Sequence, residues 1–339
     1  MDKNASVQNI NNASTVPLHE YNQMDLLYDC FLGVLSLLIV VINVLVLCVF
    51  VHKPQIRTKT NCLLASLAAS DLSMGLIGIP MYIGGVITDI SWLYITASVL
   101  YRFIAVSTMF HIFAITVERY VFIIHPMKYV NVVKRRRLYG LIAFIWLFSL
   151  FIALIQLAWV DIHNYWAVTD AKITGGIIYH TFGATVCFIC PFLIMAFIYG
   201  QMFAVIHRQV TSIRRQHIAT ESQNFSPIYA ELRAISVFAT MLAIFAFCWI
   251  TWYISVFELY FHESLDLKIS NQGYMAIDFF RFCTSFVNPL LYTYLKKDFR
   301  NAFKRMFKCR RRFFRNRSQA TTQIFDTQYT TCTYEDTKC

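Results

Sequence analysis

Seven predominantly apolar stretches succeed one another along this chain, each about 20 residues or more, the length at which a helix crosses a bilayer. They cover residues 29–52, 62–87, 93–124, 138–160, 174–206, 233–261 and 271–295. In hydrocarbon each backbone amide and carbonyl must find its partner inside the protein, so stretches of this kind fold as helices. Composition agrees: 57% of the residues are hydrophobic and 14% charged, far from the mix of a soluble domain. The charges fall between the stretches rather than along their faces. The expected fold class is therefore an all-α membrane protein: a seven-transmembrane helix bundle with a short amphipathic C-terminal helix on the inner surface. The corresponding division is an extracellular tail (1–28), the bundle (29–295), a membrane-surface helix (296–309) and a disordered cytoplasmic tail (310–339).

Basic residues set the expected orientation. Lys53, Arg57 and Lys59 lie in the first connector, Lys128 and Lys134 to Arg137 in the third, and Arg208, Arg214 and Arg215 in the fifth. The segment after the last stretch adds Lys296, Lys297, Arg300, Lys304, Arg305, Lys308 and Arg310 to Arg312, whereas the opposite side holds only Lys3, Lys172 and Lys268. This places the N-terminus outside and the C-terminus in the cytoplasm, in a multi-pass plasma-membrane protein. The formal net charge of +11 follows from the same rule and from anionic inner-leaflet lipid, and does not call for a nucleic-acid partner. The polar segment before the first stretch lacks a basic-then-apolar leader pattern, so the first span is expected to serve as its own insertion signal.

Asn4 and Asn12 head glycosylation sequons on the expected outer side. Cys309 follows a basic and aromatic stretch, a setting suited to palmitoylation. Phe299, Phe303, Met306 and Phe307 recur on one face of that stretch with Lys and Arg opposite, the pattern of an interfacial helix. The threonine-rich tail beyond it reads as solvated and phosphorylatable.

Polar clusters interrupt the oil. Glu118-Arg119-Tyr120 closes the third stretch, Asp71 sits within the second, and Asn288-Pro289-Leu290-Leu291-Tyr292 within the seventh. An arginine near mid-bilayer costs roughly 3 kcal/mol on insertion scales, so such groups face a bundle interior and carry function. Asp278, Phe282, Ser285, Pro289 and Tyr292 share one helical stripe, and Tyr101, Ala105, Thr108, Ile112 and Ile115 lead along another to Arg119.

Together with Asn43, Trp146, Pro191, Tyr199, Phe245 and Cys248-Trp249, distributed through the spans, these motifs make the chain resemble class A (rhodopsin-like) G-protein-coupled receptors over roughly residues 29–309. The likeness to a subgroup is weak: Ala69-Ser70-Asp71 and Gly78-Ile79-Pro80 look somewhat like adenosine and melanocortin receptors. The resemblance implies that Glu118, Arg119 and Tyr120 form the coupling end of the third helix. Glu231 would be the sixth-helix acid that clamps Arg119. Tyr199, Asn288, Pro289 and Tyr292 would be parts that rearrange on activation. It also implies an oxygen-lined site for an allosteric sodium ion at Asp71, Thr108, Ser285 and Asn288, with Trp249 beside it; no other cofactor is expected. A purely structural hydrogen-bonded network at Asp71, and an Arg119 that snorkels to lipid phosphate, are the alternatives.

Two departures stand out. Cys248-Trp249-Ile250-Thr251 lacks the family's proline after Trp249, so any bend must come from Thr251 bonding back to a carbonyl, from water, or be smaller. Tyr94 stands where the family's third-helix disulfide cysteine would be, an absence shared with melanocortin-, cannabinoid- and lysolipid-type receptors.

Following the family, the ligand site lies in the outer half: Tyr101, Arg102, Ile104, Ala105, Trp249, Trp252, Glu258, Asp278 and Phe282. Tyr101 replaces the aspartate of amine receptors, and Phe282 replaces the retinal-binding lysine of opsins. Asp278 can pair with Arg281 three residues on, or with Arg102 across the bundle. The implied function is a receptor, not an enzyme, that binds an extracellular small-molecule, lipid or peptide ligand and opens an inner cavity around Arg119 to a heterotrimeric G protein. Arrestin, receptor kinases and membrane lipids are the further partners implied. A membrane transporter or channel is the rival class, and it predicts half-repeats that the sequence does not display.

Overall fold

The computed structural model describes residues 23–161, 169–216, 226–261, 268–295, 299–302 and 304–305, with the side chains of 212–216 and 226–231 outside that set. Among the described residues there are seven long helices: α1 (Gln23–His52), α2 (Lys59–Thr88), α3 (Ser91–Ile124), α4 (Arg135–Ala158), α5 (from Asp170 to Gln216), α6 (Ser226–Phe261) and α7 (Asn271–Leu295). No strand occurs among the described residues. The first six are long and apolar enough to cross a membrane. The seventh is not among those six on composition, because Asp278, Arg281 and Asn288 dilute its apolar residues. Its polar groups turn inward: Arg281, Ser285 and Asn288 are all buried.

The helices close into a ring, with α1 packed on α2, α2 on α3, α3 on both α4 and α5, α5 on α6, α6 on α7, and α7 back on α1. Helix α3 also touches α6 and so runs through the middle. The interior sets polar groups within a hydrophobic core, and the outside is apolar, unlike that of a soluble protein. Asn43, Ser70, Asp71, Ser107, Thr108, His111 and Thr116 are buried, whereas Leu37, Leu147, Phe151, Leu193 and Phe197 are exposed. Lipid offers those apolar side chains an environment as good as the core, so packing and polar contacts hold the bundle together.

Close approach is bought by small residues. A Cβ on Gly75 would stand 2.9 Å from the Ser36 carbonyl, and the Ser36 hydroxyl donates to the Gly75 carbonyl at 2.6 Å, joining α1 to α2. Near the outer ends of α2 and α3, the Tyr94 ring lies where a Gly85 Cβ would be 3.1 Å from it. The residue that replaces the family's cysteine is thus an aromatic packed between two helices.

Prolines shape α2 and α5. A proline ring inside a helix removes one amide and clashes with the carbonyl four residues back. Each helix widens into a π turn just upstream, at Met74–Gly78 before Pro80 and at Gly183–Ile189 before Pro191. Helix α7 continues through Pro289. In α6, which has no such proline, the Thr251 hydroxyl donates to the carbonyls of Phe247 (3.1 Å) and Cys248 (3.0 Å). That is the back-bond that the sequence offers in place of a proline. The short helix Pro126–Val132 bridges α3 and α4.

Candidate functional site

At the C-terminal end of α3, Glu118 is buried and gathers three residues. Arg119 Nε donates to its Oε2 at 2.8 Å, Thr60 Oγ1 to the same oxygen at 2.9 Å, and the Tyr129 hydroxyl to Oε1 at 2.6 Å. Arg119 Nη2 lies 3.3 Å from Oε1 and also donates to Thr60 Oγ1. Lys59 sits 4.3 Å above the Tyr129 ring, and Arg119 lies against Phe122. Burial, and then the hydrogen bond to the Glu118 carboxylate, push the Tyr129 phenol above its ordinary range, so it remains a donor at physiological pH. The cluster ties α3 to the start of α2 and to the short connecting helix. Arg119 stays among protein groups at the inner end of the bundle, with 13% of its side chain exposed. Glu231 falls among the residues whose side chains are outside the described set. Tyr120 is half-buried beside His125.

One turn deeper, the Tyr199 hydroxyl on α5 meets Thr116 Oγ1 on α3 at 2.8 Å. Tyr292 is fully buried against Phe299, its hydroxyl without a partner. Phe299 therefore packs into the bundle; Phe303, Met306, Phe307 and Cys309 lie outside the described residues, as do Asn4 and Asn12.

Around Asp71 the structure brings together part of the expected set. Asn288 Nδ2 approaches Asp71 Oδ2 at 3.4 Å, and Ser285 faces the same carboxylate. Asn43 Nδ2 spans to the Ser285 carbonyl at 3.2 Å and to the Ile39 carbonyl at 2.9 Å. Asp71 Oδ1 is buried without a partner, and so is the Trp249 indole nitrogen. Thr108 is buried on α3 but makes no described bond to Asp71. A bare carboxylate oxygen amid hydroxyls and an amide suits a small hard cation.

A second buried chain of bonds escaped the sequence reading. His111 Nδ1 lies 2.7 Å from the Ser107 carbonyl, which can only accept, so Nδ1 carries the proton. Its Nε2 then accepts from Ser66 at 2.8 Å, and Trp146 donates to Ser66 at 2.9 Å. His111 thus links α2, α3 and α4.

In the outer half, Arg281 and Asp278 form an ion pair at 2.9 Å, the local alternative of the two weighed for Asp278. The Arg281 guanidinium lies 4.0 Å from the Tyr101 ring, 4.8 Å from Phe282 and 5.5 Å from Trp252. Arg102 stacks 4.8 Å from Tyr179 rather than reaching Asp278. Trp252 meets Tyr101, His180 and Trp249 edge-on. Ala105 is half-buried against the same core. Glu258 is buried and accepts from Tyr274, joining α6 to α7. Of the nine residues expected here, Tyr101, Trp252, Asp278 and Phe282 converge on Arg281, which was noticed only as a partner for Asp278. The signal available was its charge in an apolar stretch.

With the ring of helices, the half-buried Arg119 of α3 and the aromatic chamber around Arg281 in place, comparison with known proteins is informative. Residues 42–292 match the model of the 7 transmembrane receptor (rhodopsin family), so the chain belongs to that family, the class A G-protein-coupled receptors. It is 28% identical to the adenosine receptor A2b of Gallus gallus over 84% of this chain and 89% of that one. It is 25% identical to the histamine H2 receptor of Canis lupus familiaris (82% and 79%) and 26% identical to that of Homo sapiens (82% and 79%). The family consists of receptors rather than enzymes, and the rival transporter or channel reading is not favoured.

Proposed function

We propose that the chain is a plasma-membrane receptor, N-terminus outside, whose extracellular ligand shifts a pre-existing equilibrium toward a state with the inner end of α6 displaced outward. The observation that carries this reading is the Arg119–Glu118–Thr60–Tyr129 cluster. A buried ion pair is weak evidence for stability, but one held by several donors at a helix end makes a switch that can be released. On release Arg119, with Tyr199 and Tyr292 turned inward, lines a cavity that receives the α subunit of a heterotrimeric G protein, and nucleotide exchange follows there. Glu231 serves as the sixth-helix acid of the resting state. Arrestin and receptor kinases act on the threonine-rich tail, Asn4 and Asn12 carry glycans, and Cys309 carries a palmitoyl chain in the surface helix 296–309.

Asp71, Ser285 and Thr108 would hold a sodium ion, which supplies the positive charge that Asp71 Oδ1 lacks. The relatives named for histamine and adenosine support a small-molecule ligand in the outer chamber. Arg119→Ala, measured as G-protein activation in cells at matched surface expression, is expected to lose coupling. Unchanged activation would overturn the mechanism.

A further inference from the structure

We infer that the outer chamber takes an apolar-bodied monocarboxylate, recognised by Arg281; this rests on the receptor reading and names the ligand class of the same site. Arg281 is buried, with 4% exposure, on a helix that crosses hydrocarbon. Asp278 engages its Nη2, yet its Nε is buried with no acceptor. A guanidinium presents its donors in one plane, and a carboxylate fits two of them side by side. The faces of that plane lie against Tyr101, Phe282 and Trp252, so the unmet bonding capacity is at the edge.

The rings that hold the guanidinium also form apolar walls for the rest of a ligand. Arg102, 5.8 Å from the Tyr101 ring on the same helix, adds a second positive charge to this chamber. An arriving carboxylate therefore meets attraction from both arginines against repulsion from Asp278 and from the buried Asp29 near Tyr28, whereas an ammonium group would have to sit beside two guanidiniums. Asp278, with 29% of its side chain exposed, is the member of the pair that an incoming acid displaces.

The test uses full-length receptor purified in detergent. Thermal unfolding is followed with indole-3-acetate, 3-phenylpropionate and laurate, each beside its primary amide and its amine. The expected result is a concentration-dependent rise in melting temperature with at least one acid and none with its amide or amine. An aromatic acid alone would mark a soluble metabolite as the source, and laurate alone a lipid one. Arg281→Gln should weaken the response at least about tenfold, the loss of one charge-assisted pair of bonds. Asp278→Asn, which frees the guanidinium, should strengthen it several-fold and provides the decisive reading if the arginine variant does not fold. Stabilisation by amine or amide as great as by acid, no response to any acid, or an Asp278→Asn response weaker than the parent would overturn the inference. Nucleotide exchange measured on the same preparation separates the two proposals. An acid that stabilises but never elicits exchange supports the binding site and counts against the signalling reading.

Discussion

Glu118 accepts three donors from three different segments, and the consequences of removing each differ. The Tyr129 hydroxyl bonds a carboxylate that is itself buried, so its loss is felt more than that of a surface contact. Hydrogen bonds to charged groups contribute about 1.5–3 kcal/mol, and the lower end applies because Tyr129 is half-exposed. If the bond exists only in the resting state, Tyr129→Phe moves the equilibrium toward coupling by up to about tenfold. Ligand-independent nucleotide exchange should rise accordingly at equal receptor density, and a basal rate equal to that of the parent would remove Tyr129 from the switch. Asp71 makes a contrasting case, since one of its oxygens has no protein partner at all. Sodium chloride should raise the melting temperature of the purified receptor above that in choline chloride of equal ionic strength. Asp71→Asn should abolish the difference, and persistence of the sodium effect in that variant would place the ion elsewhere.

Between helices, the decisive contacts are made by residues that carry no chemistry. A side chain at Gly75 would press on the Ser36 carbonyl and on Val40, both 2.9 Å from its Cβ, and backbone cannot move aside as a flexible side chain can. Overpacking of this kind costs about 1–3 kcal/mol. Gly75→Val should therefore lower the unfolding midpoint by several degrees, whereas Gly140→Val, where the new Cβ meets nothing within 4 Å, should leave it near the parent value. Equal midpoints for the two variants would show that α1 and α2 do not depend on this approach. The contrast explains what could be read from sequence. Helix existence and approximate ends follow from apolar run length, and the Thr251 back-bond was legible because a hydroxyl in a helix reaches carbonyls one turn back. Gly75, Thr60, Ser66 and Tyr129 were not legible, because the partners of the first three sit 39 to 80 residues away and Tyr129 reaches Glu118 from a separate short helix, and periodicity within one helix says nothing about its neighbours. The outer chamber was legible residue by residue but not in its centre. Arg281 becomes prominent only when rings from α3, α6 and α7 are brought onto one guanidinium.

The closed ring of seven helices leaves the direction of the whole molecule across the membrane as a separate question. A bundle with an apolar exterior would satisfy its neighbours equally well if inverted. What breaks the symmetry is charge: the connectors between α1 and α2, α3 and α4, and α5 and α6 carry the lysines and arginines, and the other end carries few. Each basic residue near the anionic cytoplasmic leaflet gains about 1 kcal/mol, so a dozen or more on one side dominate the choice. The Arg119 cluster lies at that same basic end, where a cytosolic partner must dock if the coupling mechanism holds. Orientation and mechanism thus stand or fall together. An epitope placed before Met1 should be labelled by antibody on intact cells, and one placed after Cys339 only once the membrane is permeabilised. The reverse labelling pattern would put Arg119 on the outer face, beyond the reach of any G protein, and would turn the aromatic chamber around Arg281 toward the cytoplasm.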